Sequence, residues 1–275
     1  MQTPNTKIIF FGTPSVSAEV LQVLFDAGYE ISLVVTNPDQ PVGRKHVITP
    51  SPVKVLAKKL GLPVLQPEKL DLEFLSELKA KGQGLIAIIV AYGKIIPQNI
   101  IDAFPLGMLN IHYSLLPKYR GASPVEQAIL SGDEKTGVTI QKLVFKLDAG
   151  PVVAVREFPI DNQVTTPELK NNLTELGGEL LLETLPKYLA EEITPTEQDE
   201  SEASHCGKIK KEDGEIHEND SDISKWRKYR AFFGWPGVFY FDESGKRNKV
   251  TLATFENNKF VIKKVVPEGK TEISV

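Results

Sequence analysis

The sequence predicts an α/β protein: a mostly parallel sheet wrapped by helices over residues 1–190, followed by a smaller β-rich unit. Three observations carry this. Short, apolar, β-branched runs alternate with stretches of helical period in the first part, the pattern of strand–helix–strand units joined by crossovers. The composition then breaks: residues 191–222 hold 12 Asp/Glu against three Lys and few apolar residues, the texture of an exposed linker. Beyond it, apolar stretches are separated by turn formers, as in short antiparallel strands.

Each element follows from its pattern. Lys7 to Gly12 is an apolar run closed by glycine, a buried strand. Ser15 to Ala27 spaces Val16, Val20, Leu21, Val23 and Leu24 with helical period. Ile31 to Val35 reads as a strand, Pro52 to Leu60 as a helix, Leu62 to Leu65 as a short strand and Leu72 to Lys81 as a helix. Leu85 to Ala91 is almost wholly apolar, a strand covered on both faces, and Gly137 to Phe145 is another strand. From Trp226 on, short strands and turns are expected: Gly237 to Phe241, Val250 to Thr254 and Phe260 to Val266. The predicted organisation is therefore a domain over 1–190, a linker over 191–206 and a second unit over 207–275.

With 275 residues, 41% hydrophobic and 25% charged, the chain can bury one large core and a small second one. No apolar run reaches membrane-spanning length, so no membrane partner is expected. Met1 to Lys7 has the character of neither a signal peptide nor a transit sequence, and the single cysteine, Cys206, has no internal partner; both point to the cytoplasm. The net charge of −4 speaks against nucleic acid, but residues 223–264 hold ten Lys/Arg against three Asp/Glu. A basic region on an acidic body is an electrostatic footprint for an anionic partner, or else simply a solvated face.

The densest chemical signal runs from Leu109 to Pro124. Asn110 and His112 are two apart on a strand-like run, so both side chains share one face. Pro117 and Gly121 then force irregular backbone able to approach a ligand. Asp148 follows at a turn, in Leu147-Asp148-Ala149-Gly150-Pro151. An amide, an imidazole and a carboxylate converging on one pocket suit acyl transfer. The amide can donate to a tetrahedral oxyanion, and a protonated imidazole can donate a second hydrogen bond. The carboxylate can favour that protonated form, orient the ring, or accept the proton leaving an amine. Taken singly, each residue would more often be an ordinary satisfied polar group or turn. No His/Cys/carboxylate cluster has metal-ligand spacing, so no metal is expected. The chain also lacks a Gly-x-Ser-x-Gly elbow, and only Gly12-Thr13-Pro14 follows the first strand where a dinucleotide fingerprint would stand.

Asn-x-His followed by Ser-Leu-Leu-Pro, with a later Asp-x-Gly, resembles the folate-dependent formyltransferases. The resemblance implies a Rossmann-like domain with Asn110, His112 and Asp148 as the catalytic trio. It implies 10-formyltetrahydrofolate as donor, contacted by Ser114, Leu115, Leu116 and Pro117, with Val90, Tyr92 and Gly93 forming further pocket segments. The segment Asn37 to Lys45, continued by Thr49 to Lys54, looks like the loop of the branch that formylates methionyl initiator tRNA. Arg44, Lys45 and Lys54 would then contact the charged initiator tRNA. Arg120-Gly121-Ala122-Ser123-Pro124-Val125 is close to that branch's Arg-Gly-Ala-Ala-Pro-Ile. Phe232 to Pro236 resembles the start of its C-terminal OB-like barrel, here shortened. The branch often has glycine where this chain has Tyr113, which implies an altered pocket rim, and the family suggests a monomer.

Two other readings stay open at this point. A formyltransferase acting on an amino-sugar nucleotide would share the trio without needing the Gly43-Arg44 loop or the basic C-terminal region. A non-catalytic folate-sensing or RNA-binding module would not need the trio at all.

Overall fold

The computed structural model describes residues 6–43, 46–81 and 86–275. Its elements run β1 (Ile8–Gly12), α1 (Ser15–Asp26), β2 (Ile31–Val35), β3 (Gln40–Val42), β4 (Val47–Thr49), α2 (Pro52–Lys59), β5 (Val64–Leu65), α3 (Leu72–Lys81) and β6 (Ile86–Val90). They continue α4 (Gln98–Ile101), β7 (Met108–His112), β8 (Arg120–Gly121), α5 (Pro124–Ser131), β9 (Lys135–Lys142), β10 (Val152–Pro159) and α6 (Thr166–Leu189). The last are β11 (His205–Cys206), α7 (Asp222–Ala231), β12 (Val238–Phe241), β13 (Arg247–Glu256), β14 (Lys259–Pro267) and β15 (Ile273–Ser274).

A seven-stranded sheet in the order β10-β9-β7-β6-β1-β2-β5 forms the body. The strands from β7 to β5 are parallel, and β9 then runs antiparallel to both β7 and β10. This is the mostly parallel α/β architecture that the alternating pattern predicts. Strand alternation splits β1 between two cores. Ile8 and Phe10 join the cluster of α1, α2 and α6 residues, whereas Ile9 and Phe11 join Phe74 and Leu78 of α3 and Ile100 and Ile101 of α4. Burial on both faces is why these strands read as continuous apolar runs.

Some boundaries differ from the sequence reading, for local reasons. The strand expected over 137–145 is β9, which ends at Lys142. There the Leu143 amide donates to the Met108 carbonyl and the Lys142 amide to the Pro151 carbonyl, so Phe145 lies in an exposed loop. Gly150 lets that loop return, because a Cβ there would collide with the Lys142 carbonyl oxygen. Leu85, expected at the start of β6, lies outside the described residues. Around Trp226 the structure has the helix α7 instead of strands and turns, capped by the Ser221 hydroxyl accepting from the Ser224 amide. The 24-residue α6 begins with a capping box in which Thr165 and Glu168 satisfy each other's backbone amides.

The C-terminal unit is a four-stranded antiparallel sheet, β12-β13-β14-β15, with Glu215 bridging Phe239 at its edge. It meets the expectation of a small β unit after the main sheet. Trp226, Tyr229 and Phe232 from α7 and Val238, Val250 and Val265 from the sheet belong to the same buried cluster as Leu169 and Leu173 of α6. Trp226 is the centre of this junction: it stacks on Tyr229 and Phe255, and its indole N–H donates to the Asn162 carbonyl at 3.0 Å. Trp226→Ala should therefore destabilise the protein by about 3–5 kcal/mol, the range for deleting a large buried aromatic. Thermal unfolding followed by circular dichroism checks this, with a single transition for the wild type because the core is continuous.

Candidate active site

The chain order of the parallel strands reverses between β1 and β6, so the crevice beyond their carboxyl ends is where such a sheet binds ligands. β6 leads into Tyr92 and Gly93 there, and β7 ends in His112. The Tyr92 carbonyl accepts from Thr13 Oγ1 at 3.1 Å and from Asn37 Nδ2 at 2.9 Å, which ties the loops after β1, β2 and β6 together. Its ring packs edge-on against Phe11, and burial pushes its phenol up. The Tyr92 hydroxyl and Asn37 Oδ1 are both buried without a hydrogen-bond partner among the described residues. Gly93 has φ +87°, and the nearest atom to a Cβ there is Asn37 Nδ2 at 3.7 Å.

On β7, Asn110 is half-buried opposite Gln141 of β9, and His112 is buried opposite Thr139. Thr139 Oγ1 donates to the Ser114 carbonyl at 2.7 Å and accepts from the Leu116 amide at 3.1 Å, fixing the exit from the strand. The Ser114 hydroxyl donates to the Lys118 carbonyl at 2.6 Å, so it closes its own loop. Leu115, Leu116 and Pro117 line that loop half-buried, with a cis Leu116–Pro117 peptide. The loop then brings the Tyr119 carbonyl to His112, whose Nε2 donates to it at 2.9 Å.

The other ring nitrogen, His112 Nδ1, faces Asp148 Oδ1 at 3.7 Å, ion-pair range but too long for a hydrogen bond. Two N–H donors hold the Asp148 carboxylate: Gln141 Nε2 at 2.9 Å on Oδ1 and the Gly121 amide at 2.8 Å on Oδ2. Asp148 itself has φ +47°, a left-handed backbone that an aspartate tolerates better than most residues. The structure thus brings Asn110, His112 and Asp148 to one side of β7. In chemical terms the arrangement offers an amide, an imidazole whose two nitrogens both face oxygens, and a buried carboxylate, which suits acyl transfer.

Tyr113 sits on the opposite side. Its ring lies in the α6-side core, its hydroxyl pairs with Thr174 Oγ1 at 2.9 Å, and burial pushes the phenol up to about 12. The expected change in the pocket rim is therefore corrected: odd and even residues of a strand point to opposite faces, and this tyrosine packs under the sheet. Lys54 is committed as well. Its ammonium lies 2.7 Å from Asp39, whose carboxyl is held below its usual range by the Gln66 hydrogen bond and then by Lys54. The pair braces the foot of the exposed β3–β4 hairpin. Arg44 and Lys45 lie outside the described residues.

Sequence reasoning missed several groups that build the site. Gln141, alternating with Thr139 around the apolar Val138 and Ile140, was a readable signal of polar residues sharing the face of Asn110 and His112. The segment over 191–206 gave no such signal, yet it runs as a strap across the site. Thr196 pairs with Val152, the Ser204 hydroxyl accepts from the Tyr119 amide, and β11 pairs in parallel with β8. Arg120, wholly buried, donates to Gln198 Oε1 and to both carboxylate oxygens of Glu200 at 2.8–3.1 Å. Gln198 Nε2 in turn donates to the carbonyls of Asp148 at 2.9 Å and Gly150 at 2.7 Å. Gly121 is what allows β8 and β11 to meet: a Cβ there would collide with the Cys206 carbonyl oxygen. Among the described residues no group of three or more His, Cys, Asp or Glu is placed to hold a metal, and no helix is long and apolar enough to cross a membrane.

These features define a group-transfer site on a Rossmann-like sheet, and comparison with known proteins places it in a family. Residues 6–185 match the family model described as formyl transferase. The chain is 49% identical over 235 residues to the methionyl-tRNA formyltransferase of Sulfurovum sp. (strain NBC37-1), covering 85% of this chain and 75% of that protein. It is 41% identical over 255 residues to the methionyl-tRNA formyltransferase of Lysinibacillus sphaericus, covering 92% of this chain and 81% of that one. The chain belongs to the formyl transferase family. Solved structures share the fold at low identity. HypX of Aquifex aeolicus in complex with tetrahydrofolic acid superposes with TM-score 0.70 at 19% identity, over 98% of this chain and 46% of that longer one. An N-formyltransferase from Helicobacter canadensis, in complex with folinic acid and dTDP-3-aminofucose, superposes with TM-score 0.69 at 19% identity, over 91% of this chain and 89% of that one.

The strap's ion pair should be acid-sensitive. Hydrogen bonds from Arg120 and then Lys146 hold the Glu200 carboxyl down to about 2. A depressed carboxyl stabilises fully above its ordinary range and loses that contribution as pH falls toward the folded value. The melting-temperature gap between wild type and Glu200→Gln should therefore be widest above about pH 5 and close as pH approaches about 2. A gap that stays constant across this range would mean that Glu200 is not held by its two cations.

Proposed function

We propose that this protein transfers the formyl group of 10-formyltetrahydrofolate to the amino group of methionyl initiator tRNA, acting in the cytoplasm as a monomer. The observation that carries the reading is the His112–Asp148 pair beside Asn110, in a chain so similar to methionyl-tRNA formyltransferases.

The chemistry assigns each side chain a task. The acceptor's neutral amine attacks the formyl carbon and the new C–N bond forms as the carbonyl becomes an oxyanion. Asn110 Nδ2 donates to that oxygen, and so does His112 through Nδ1–H, which is not hydrogen-bonded to Asp148 at 3.7 Å, since Nε2 is spent on the Tyr119 carbonyl. Asp148 accepts the proton that the amine loses and passes it to the folate nitrogen as collapse of the intermediate breaks that nitrogen's bond to the formyl carbon. Ser114 holds its loop through Lys118, so that Leu115, Leu116 and Pro117 present an apolar wall to the folate. The backbone running from Val90 through Tyr92 to Gly93 bounds the other side, the Val90 and Tyr92 side chains being buried in the two cores. Arg44, Lys45 and the basic residues of 223–264 meet tRNA phosphates, while Lys54, paired with Asp39, stiffens the β3–β4 hairpin.

His112→Ala and Asp148→Ala should each lower kcat by on the order of 10²–10³-fold while leaving the protein folded at the assay temperature. Near-normal turnover in either would overturn the trio. Offered together, charged initiator tRNA, charged elongator tRNA and an amino-sugar nucleotide decide the acceptor: only the first should be formylated efficiently. Affinity for tRNA should fall steeply as salt rises, since phosphate contacts release counterions. A flat salt response would remove the phosphate-contact role from the hairpin and the basic region.

A further inference from the structure

Asp148 needs more than its neighbours in sequence to stay where it is. Its φ of +47° is a strained choice for a residue with a side chain, and such backbone persists only where the surroundings over-determine it. The two donors on its carboxylate are one side chain, Gln141, and one backbone amide, that of Gly121. Both, and the Asp148 backbone itself, lead back to the strap. Gln198 Nε2 donates to the carbonyls on either side of Ala149, at 2.9 and 2.7 Å. The same nitrogen lies 3.4 Å from Gln141 Oε1, a weaker shared contact beside its two shorter bonds, at the end of the Gln141 amide opposite the N–H₂ that faces Asp148. Gly121, the second donor, lies in β8, which the strap pairs through β11. Gln198 is itself anchored at its other end, where Oε1 accepts from Nε and Nη2 of the buried Arg120 at 3.0 and 2.8 Å.

We infer that Gln198 is a positioning residue for formyl transfer. It is an amide clamp between the buried guanidinium of Arg120 and the Asp148 turn, holding the carboxylate toward His112 without touching the reactants. The inference rests on the proposed role of Asp148. It adds that the strap leading to the C-terminal unit is part of the catalytic apparatus, and not only a connection. The two ends of Gln198 do separate work, which makes the idea testable. Its oxygen serves the fold through Arg120, and its nitrogen serves Asp148.

Gln198→Glu separates the two. The introduced carboxylate still accepts from Arg120 but has no N–H to donate to the Asp148 and Gly150 carbonyls or to Gln141. The expected result is a kcat lowered about 10- to 100-fold, with KM for donor and acceptor changed by less than about threefold, because a small misplacement of a reacting group acts on turnover. In an Asp148→Asn background the same change should cost nothing further, since residues acting through one another are not additive. Gln198→Asn is one methylene too short to span from Arg120 to both carbonyls and should give the same split, which keeps the test open if the first variant folds poorly. Hydrogen exchange at the Gly121 amide should speed up in both variants. Unchanged kcat, an equal loss in the Asp148→Asn background, or unchanged exchange at Gly121 would each overturn the inference. If the wild type formylates no amine, the functional reading fails, and the exchange measurement still reports on the clamp.

Discussion

A guanidinium withdrawn from water must find acceptors for its N–H groups, and Arg120 is wholly buried. Few other groups in the molecule impose so firm a demand. Arg120 meets it with residues from a segment nearly 80 positions away, Gln198 and Glu200, and so draws the chain back across the loop after β7. Once drawn there, the segment adds a second parallel pairing, β8 with β11, and a Ser204 hydroxyl on the Tyr119 amide. Tyr119 is also the residue whose carbonyl receives His112. The buried charge, the strap and the imidazole are thus links in one hydrogen-bonded chain. The exposed partner Glu200 contributes little by itself, but as part of a network with Arg120 and Lys146 it completes the guanidinium's set.

The sheet explains why this apparatus can sit at a strand end. β1, β6 and β7 are buried on both faces, so their carboxyl ends are fixed by two packed cores and not by loop contacts alone. His112 is the last residue of β7, and its neighbour across the sheet, Thr139, anchors the first turn of the following loop on both sides. Rigid strand and irregular loop meet at one residue. Polar groups on elements that belong to the body of the fold are placed more closely than groups on free loops.

What could be read from the sequence follows from how local each cause is. β1, β2, α3 and β6 are written in unbroken apolar runs or in one helical period, and those patterns survive folding unchanged. Asn110 and His112 are readable as a pair because a strand alternates; so was Gln141, had the polar alternation in β9 been followed. The strap was hidden for the opposite reason. Its acidic, apolar-poor composition is that of a linker, and its order comes from hydrogen bonds to Arg120, Asp148 and Val152, none of which leaves a periodic trace. α7 was hidden in another way: its buried residues Trp226, Tyr229, Arg230 and Ala231 pack against two different elements, so no single apolar stripe marks it. Tyr113 illustrates the reverse error, where a comparison of residue types suggested the pocket while strand parity alone already placed the ring on the far face.

The C-terminal unit follows from the same logic of shared cores. A single four-stranded sheet of this size buries too little apolar surface to stand alone, and small units of that kind need a staple or a neighbour. Here the neighbour is the catalytic body. α7 lies between α5 and the C-terminal sheet, Thr166 of α6 donates to the Ala231 carbonyl at 2.7 Å, and Trp226 reaches the Asn162 carbonyl. Arg230, also buried, donates to the Asp161 and Val164 carbonyls of the same loop. The unit is therefore set against the body by polar contacts that have direction as well as by apolar burial that does not. Directional contacts at the base of α7 and a strap anchored on Arg120 leave few ways to move the basic region of 223–264 without disturbing the site. In the proposed function, the tRNA at that region and the proton acceptor Asp148 are consequently placed by one continuous set of contacts.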